Sequence, residues 1–186
     1  MSDAEPKPAP ASAYDMSYAD EADERRTLAV MVDNEPGVLA RVVGLFSARG
    51  YNIESLTVAE VDASRHRSRI TIVTSGTPQI LEQIEAQLLR LVPVGRVIDI
   101  TKSKRGVERE LALVKVAGVG EKRVEALRMA EIFRAKVIDT TSESFVFELT
   151  GASAKIDQFV DLMKPLGLVE LSRTGVLSIQ RGKEKG

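Results

Sequence analysis

The stretch from Leu28 to Val58, LAVMVDNEPGVLARVVGLFSARGYNIESLTV, holds the order of elements that decides the fold. It opens on a continuous apolar run over residues 28–32, which is the pattern of a strand in the middle of a sheet. Residues 33–37 end this strand, because Asp and Asn favour turns and N-caps and proline suits the first helical position. The sequence therefore predicts a helix that begins near Pro36.

The predicted helix has one apolar face, which is typical of a helix packed on a sheet. This face consists of Val38, Leu39, Val42, Val43 and Phe46. Gly50 is expected to end the helix as a left-handed cap. A second strand follows from Tyr51, and the uneven spacing of its apolar residues indicates a bend near Glu54.

The turn at residues 33–37 is the first candidate for a binding site. A helix N-terminus has unpaired N–H groups and the positive end of the helix dipole, so it suits a small anion such as a carboxylate. Gly37 would let a ligand approach the backbone, and the Asn34 side chain offers a neutral donor and acceptor. The residues alone favour an ordinary, well-capped connection between strand and helix over a binding site.

Six segments of the chain resemble the small regulatory subunits of acetohydroxyacid synthase, also called acetolactate synthase. The segments are residues 34–41 (NEPGVLAR), 44–56 (ending in RGYNIESL), 81–88, 107–116 (VERELALVKV), 131–139 (EIFRAKVID) and 173–176 (RTGV). The turn with its Pro-Gly resembles, more broadly, the amino-acid-binding regulatory modules called ACT domains. The resemblance covers roughly residues 26–182.

The resemblance implies a regulatory subunit without catalytic residues. Such a subunit activates a large catalytic subunit and binds valine, or a related branched-chain amino acid, for feedback inhibition. It forms a homodimer through the ACT domain, and thiamine diphosphate, Mg and FAD belong to the catalytic subunit. The implied effector-binding residues are Asn34, Gly37, Val38, Leu39, Asn52 and Ile53, the last two supplied by the second strand of a partner module.

Composition limits the other possibilities. The formal net charge of -1 and a pI near 6.0 argue against a surface built for nucleic acid, and no apolar run approaches the length needed to span a membrane. The chain has no Cys, and it begins without the pattern of a secretory signal. We therefore expect a cytoplasmic protein.

The element order divides the chain into parts. We expect a disordered, Pro- and acid-rich tail at 1–24, an ACT regulatory domain at 25–101, a solvated linker at 102–108 and a second domain at 109–182. Each domain follows the order βαββαβ, so the fold class is α+β with two ferredoxin-like modules. Such a module leaves one sheet face open, and we expect association with another chain to cover it.

The second module should repeat the architecture of the first without its ligand site, because it lacks the Asn-x-Pro-Gly turn. Its final two strands are predicted at Leu168–Leu171 and Val176–Ile179, where they would complete the sheet. We expect this module to be structural or to contact a partner.

No constellation in the sequence predicts an active site. His66 is the only histidine and lies in a polar, Arg-rich loop, so we expect it to have no metal role. Gly118 and Gly120 form a fragment of a dinucleotide fingerprint, but Arg123 stands where the third glycine would be. The alternative to a synthase subunit is a free-standing amino-acid sensor that regulates another enzyme or a transcription factor.

Overall fold

The computed structural model describes residues 22–103 and 105–183. Most of the tail predicted at 1–24 thus lies outside the described residues. The first strand already begins at Glu24.

The described chain contains nine strands and four α-helices. The first module consists of β1 (Glu24–Asp33), α1 (Val38–Arg49), β2 (Ser55–Asp62), β3 (Arg67–Gly76), α2 (Pro78–Leu88) and β4 (Val94–Asp99). The second consists of β5 (Gly106–Ala117), α3 (Glu121–Phe133), β6 (Lys136–Thr140), β7 (Ser144–Gly151), α4 (Ser153–Gly167), β8 (Leu168–Arg173) and β9 (Leu177–Gln180).

Both modules contain a four-stranded antiparallel sheet that packs against two helices. The strand orders are β2-β3-β1-β4 and β6-β7-β5-β8, which place the first and third strands of each module at the centre of its sheet. Each module has its own apolar core, formed in the first around Phe46 and Ile72 and in the second around Phe147 and Phe159. The prediction of an α+β fold with two ferredoxin-like modules is confirmed.

The helix α1 begins at Val38, two residues later than predicted. Gly37 precedes it with φ of 84°, in the left-handed region, so the chain cannot be helical through Pro36 and Gly37. The helix α2 begins at Pro78, and Thr77 caps it by accepting a hydrogen bond from the N–H of Ile80.

The last strand does not join the four-stranded sheet, so the prediction that both final strands complete it is wrong for β9. This strand pairs with the first four residues of β5, from Gly106 to Arg109. The strand β5 is twelve residues long, and its later part forms the centre of the second sheet. It starts at Gly106, inside the range predicted as the linker.

The two-stranded ribbon of β5 and β9 covers part of the open face of the first sheet. This face carries Thr27, Ala29, Thr71 and Val73, all of them buried, beside Ser55 and Thr57 at its edge. Three hydrogen bonds join the face to the segment 176–178. The chain's own terminal strand therefore covers the buried part of this face, where we expected another chain, and the homodimer through the ACT domain stays a prediction.

Candidate functional site

The β1–α1 turn exposes backbone donors at its tip. Gly37 is exposed, and a Cβ placed on it would meet nothing within 4 Å. The N–H of Val38 donates to the carbonyl of Glu35 at 3.3 Å, while no acceptor in the described part of the chain reaches the N–H groups of Gly37 and Leu39. Two donors at the positive end of α1 are therefore available to an anion.

Asn34 lies beside these donors and is held by the hairpin that joins β2 to β3. Its backbone N–H donates to the carbonyl of His66 at 2.6 Å, and its Nδ2 donates to Oε1 of Glu60 at 3.4 Å. With Nδ2 bonded in this way, Oδ1 is the side-chain atom that can accept a hydrogen bond from a ligand. The hairpin therefore holds both the backbone and the side-chain amide of Asn34.

The charged side chains near the turn are engaged with one another. Arg41 forms an ion pair with Glu35 at 3.2 Å, and Arg67 lies 3.9 Å from Asp33. These pairs are largely exposed, so water and salt screen them strongly. The backbone donors are therefore the principal attraction that the turn offers to a carboxylate.

The two remaining candidate residues, Asn52 and Ile53, follow the other end of α1. Gly50 caps the helix in the left-handed conformation, as predicted. The carbonyl of Asn52 accepts a hydrogen bond from Oγ1 of Thr74 at 2.6 Å, which fixes the backbone. The Asn52 side chain is exposed, whereas Ile53 is half-buried against the first core.

The structure does not bring the six predicted residues together within one chain. Asn34, Gly37, Val38 and Leu39 lie at the start of α1, and Asn52 and Ile53 lie beyond its end. The helix has 12 residues, so at about 1.5 Å per residue its ends are about 18 Å apart. A site that uses all six residues needs a second copy of the chain.

A cleft between the two modules was missed from the sequence. It has a volume of about 500 Å³ and is lined by charged residues of both modules, including Arg25, Glu54, Glu110, Asp157 and Arg173. Two of these residues, Glu110 and Arg173, contact each other although they are 63 positions apart in the sequence, so no local pattern pointed to them.

Arg173 and Glu110 form a two-pronged ion pair in this cleft. Arg173 donates from Nε and from one terminal nitrogen to the two carboxylate oxygens of Glu110, at 2.7 and 2.6 Å. Its other terminal nitrogen donates to Asp157 at 2.6 Å. These hydrogen bonds from Arg173 hold the pKa of the buried Glu110 carboxyl below its usual range.

Neither a metal cluster nor a membrane helix occurs in the part of the chain that the structure describes. No three acidic, His or Cys side chains there come together in a way that could hold a metal ion. His66 lies exposed at the end of a short 3-10 turn. No helix among the described residues has the length and apolar character needed to cross a bilayer.

Each of the two modules matches a known family model. The sequence model described as the small-subunit-like ACT domain of acetohydroxyacid synthase matches residues 28–96. The model described as the small subunit of acetolactate synthase matches residues 109–182. The two matches lie in the first and second modules, respectively.

Full-length relatives agree with this assignment. The chain is 46% identical over 161 residues to a probable acetolactate synthase small subunit from Archaeoglobus fulgidus, covering 87% of this chain and 99% of the relative. It is 47% identical over 159 residues to the isozyme 3 small subunit of Escherichia coli, covering 85% of this chain and 96% of that protein.

A solved structure shares the fold over nearly the same length. The crystal structure of the acetolactate synthase small subunit from Thermotoga maritima superimposes with a TM-score of 0.77 at 37% identity, and covers 87% of this chain and 99% of that one. The chain therefore belongs to the family of acetolactate synthase small subunits, with an ACT domain as its first module.

Proposed function

We propose that this chain is the regulatory subunit that activates a large catalytic subunit of acetolactate synthase and makes it sensitive to valine or a related branched-chain amino acid. The observation that carries the effector part of the proposal is the pair of unused N–H groups at Gly37 and Leu39, at the positive end of α1. The names of the relatives support the catalytic partner.

The effector would lie between two copies of the first module. Its carboxylate would accept hydrogen bonds from the turn, and its ammonium would donate to Oδ1 of Asn34 or to Asn52 of the second copy. Leu39, which is 39% exposed, and Ile53 would supply apolar contact for the branched side chain. The separation of these groups along α1 supports a site shared by two chains.

The regulation would depend on a difference in affinity. An effector that binds one arrangement of the dimer more tightly than another can shift the catalytic partner only by that difference, which is typically about 1–3 kcal/mol. A modest number of hydrogen bonds at the turn is enough for an effect of this size.

Affinity capture and calorimetry test the proposal. The chain, used as bait in an extract of its own cells, should retain a much larger thiamine-diphosphate enzyme, and valine should give a binding heat with the purified complex. An amino-acid sensor with another target would retain a different protein. The proposal of a catalytic partner is wrong if no such enzyme is retained, and the proposal of an effector is wrong if valine, leucine and isoleucine all give no heat.

A further inference from the structure

The start of β2 holds the segment that leads into β9 by both polar groups of one residue. The N–H of Val176 donates to Oγ of Ser55 at 2.9 Å, and the carbonyl of Val176 accepts from Oγ1 of Thr57 at 3.2 Å. Val176 is buried, at 2% exposure. The second module is thus attached to an edge strand of the first through side chains of that strand.

Gly175 makes this contact close. Its φ is 81°, and a Cβ built on it would lie 2.6 Å from Oγ of Ser55 and 3.0 Å from Cγ2 of Thr57. No side chain fits at this position without displacement of β2 or of the segment facing it. We call the contact between Ser55, Thr57, Gly175 and Val176 the β2 latch.

The β2 latch lies next to the proposed effector site in the sequence and in space. Ser55 follows Asn52 and Ile53 by three and two positions, and the intervening Glu54 donates its N–H to the carbonyl of Val73. The backbone from Asn52 to Ser55 is therefore tied to β3 at both Asn52 and Glu54. A ligand that draws Asn52 and Ile53 toward a second copy would act directly on this segment.

On its other side, the β2 latch connects to the ion pair of the second module. Arg173 is two residues before Gly175 and is anchored to Glu110 and Asp157. The cleft of about 500 Å³ adjoins the contact, and both Ser55 and Val176 line it. The β2 latch and the ion pair of the second module therefore border the same cleft between the modules.

We propose that the β2 latch transmits occupancy of the effector site to the second module, and that Ser55 is its positioning residue. This inference rests on the proposed function. In the effector-bound dimer, the start of β2 is held in one position, and Val176 follows because both of its polar groups are bonded to β2. The latch supplies two of the three hydrogen bonds that join the first sheet to residues 176–178, so without it the effector should bind with much less effect on the second module.

The test separates binding from its consequence. Ser55→Ala removes the acceptor of the Val176 N–H without adding an atom, and Ser47→Ala, which changes an exposed serine on α1, is the matched control. Calorimetry on the full chain without the catalytic subunit gives the dissociation constant of valine, and an activity assay of the complex gives the maximal inhibition at saturating valine. For Ser55→Ala we expect this dissociation constant to change less than about threefold and the maximal inhibition to fall at least about fivefold.

A second readout distinguishes transmission from general weakening. Linkage requires that valine change the affinity of the wild-type chain for the catalytic subunit by the same factor that the catalytic subunit changes the affinity for valine. In Ser55→Ala, and in Gly175→Ala, which forces the contact apart, this factor should approach one. Ser47→Ala should keep the wild-type factor.

The failures of the two proposals look different. If the wild-type complex binds no branched-chain amino acid, the proposed function is wrong and the latch has nothing to transmit. If the wild type binds valine and is inhibited, but Ser55→Ala is inhibited equally, the latch inference alone is overturned. A parallel loss of valine binding and inhibition in Ser55→Ala would also overturn it, because Ser55 would then belong to the effector site.

Discussion

Replacement of Gly37 by aspartate is expected to raise the dissociation constant for valine at least about tenfold. The new carboxylate would stand beside the N–H groups that are proposed to receive the carboxylate of the ligand. Two like charges about 4 Å apart repel by about 1 kcal/mol in water and by about 4 kcal/mol in a partly buried site, and each 1.4 kcal/mol corresponds to a factor of ten. Titration calorimetry of valine into the complex measures the change.

Gly37→Asn is the control for this substitution. Asparagine and aspartate have nearly the same shape and tolerate the left-handed conformation better than most residues, so both carry a similar backbone strain at φ of 84°. No atom lies within 4 Å of a Cβ at this position, so neither is excluded by space. Aspartate should weaken binding more than asparagine. Equal losses would assign the effect to the backbone, and unchanged binding for both would remove Gly37 from the site.

The first module could be predicted closely because its signals are local. Apolar runs, the periodic face of α1 and the caps Gly50 and Thr77 each fix an element from a few neighbouring residues. The start of α1 was misplaced because Pro36 is suited both to a turn and to a first helical turn. The deciding fact, the left-handed φ of Gly37, is a backbone property that no pattern in the letters specified.

The role of β9 could not be predicted, because it depends on a pairing between distant parts of the chain. Leu177 and Ile179 alternate with polar residues as any half-exposed strand does, and either edge of the second sheet could have received them. The pairing of β9 is decided by the length of β5. The first four residues of β5 extend beyond the four-stranded sheet, and β9 pairs with them. The covering of the first sheet follows from that pairing.

The residues of the candidate site could be listed from the sequence, but their arrangement in space could not be predicted. Gly37 and Asn52 belong to neighbouring segments of one motif, yet the twelve residues of α1 lie between them. Sequence spacing cannot tell whether such residues meet within one chain or across two. Glu110 and Arg173 were both inside segments that resemble the family, but nothing in those segments distinguished a buried ion pair from two solvated charges.

Glu110→Gln is expected to lower the free energy of unfolding by about 2 kcal/mol at neutral pH, because Arg173 loses its two-pronged ion pair and keeps only the hydrogen bond to Asp157. Glu110 is 4% exposed and accepts two hydrogen bonds from Arg173. Urea-induced unfolding of the full chain, followed by circular dichroism, measures the difference. Glu170→Gln is the control, since Glu170 pairs with Lys115 at the similar distance of 2.6 Å but on the exposed face, and should change stability little.

The effect of Glu110→Gln should depend on pH in a direction fixed by its pKa. The pKa of Glu110 in the folded chain is lowered, chiefly by the hydrogen bonds from Arg173, whereas in the unfolded chain it returns to about 4.3. The ion pair therefore contributes its full stability above about pH 4.3 and loses it as pH falls through the lower, folded value. The difference between wild type and Glu110→Gln should shrink in that acid range. A difference that stays constant from pH 7 to pH 3 would mean that Glu110 stabilises the module by packing and not by its charge.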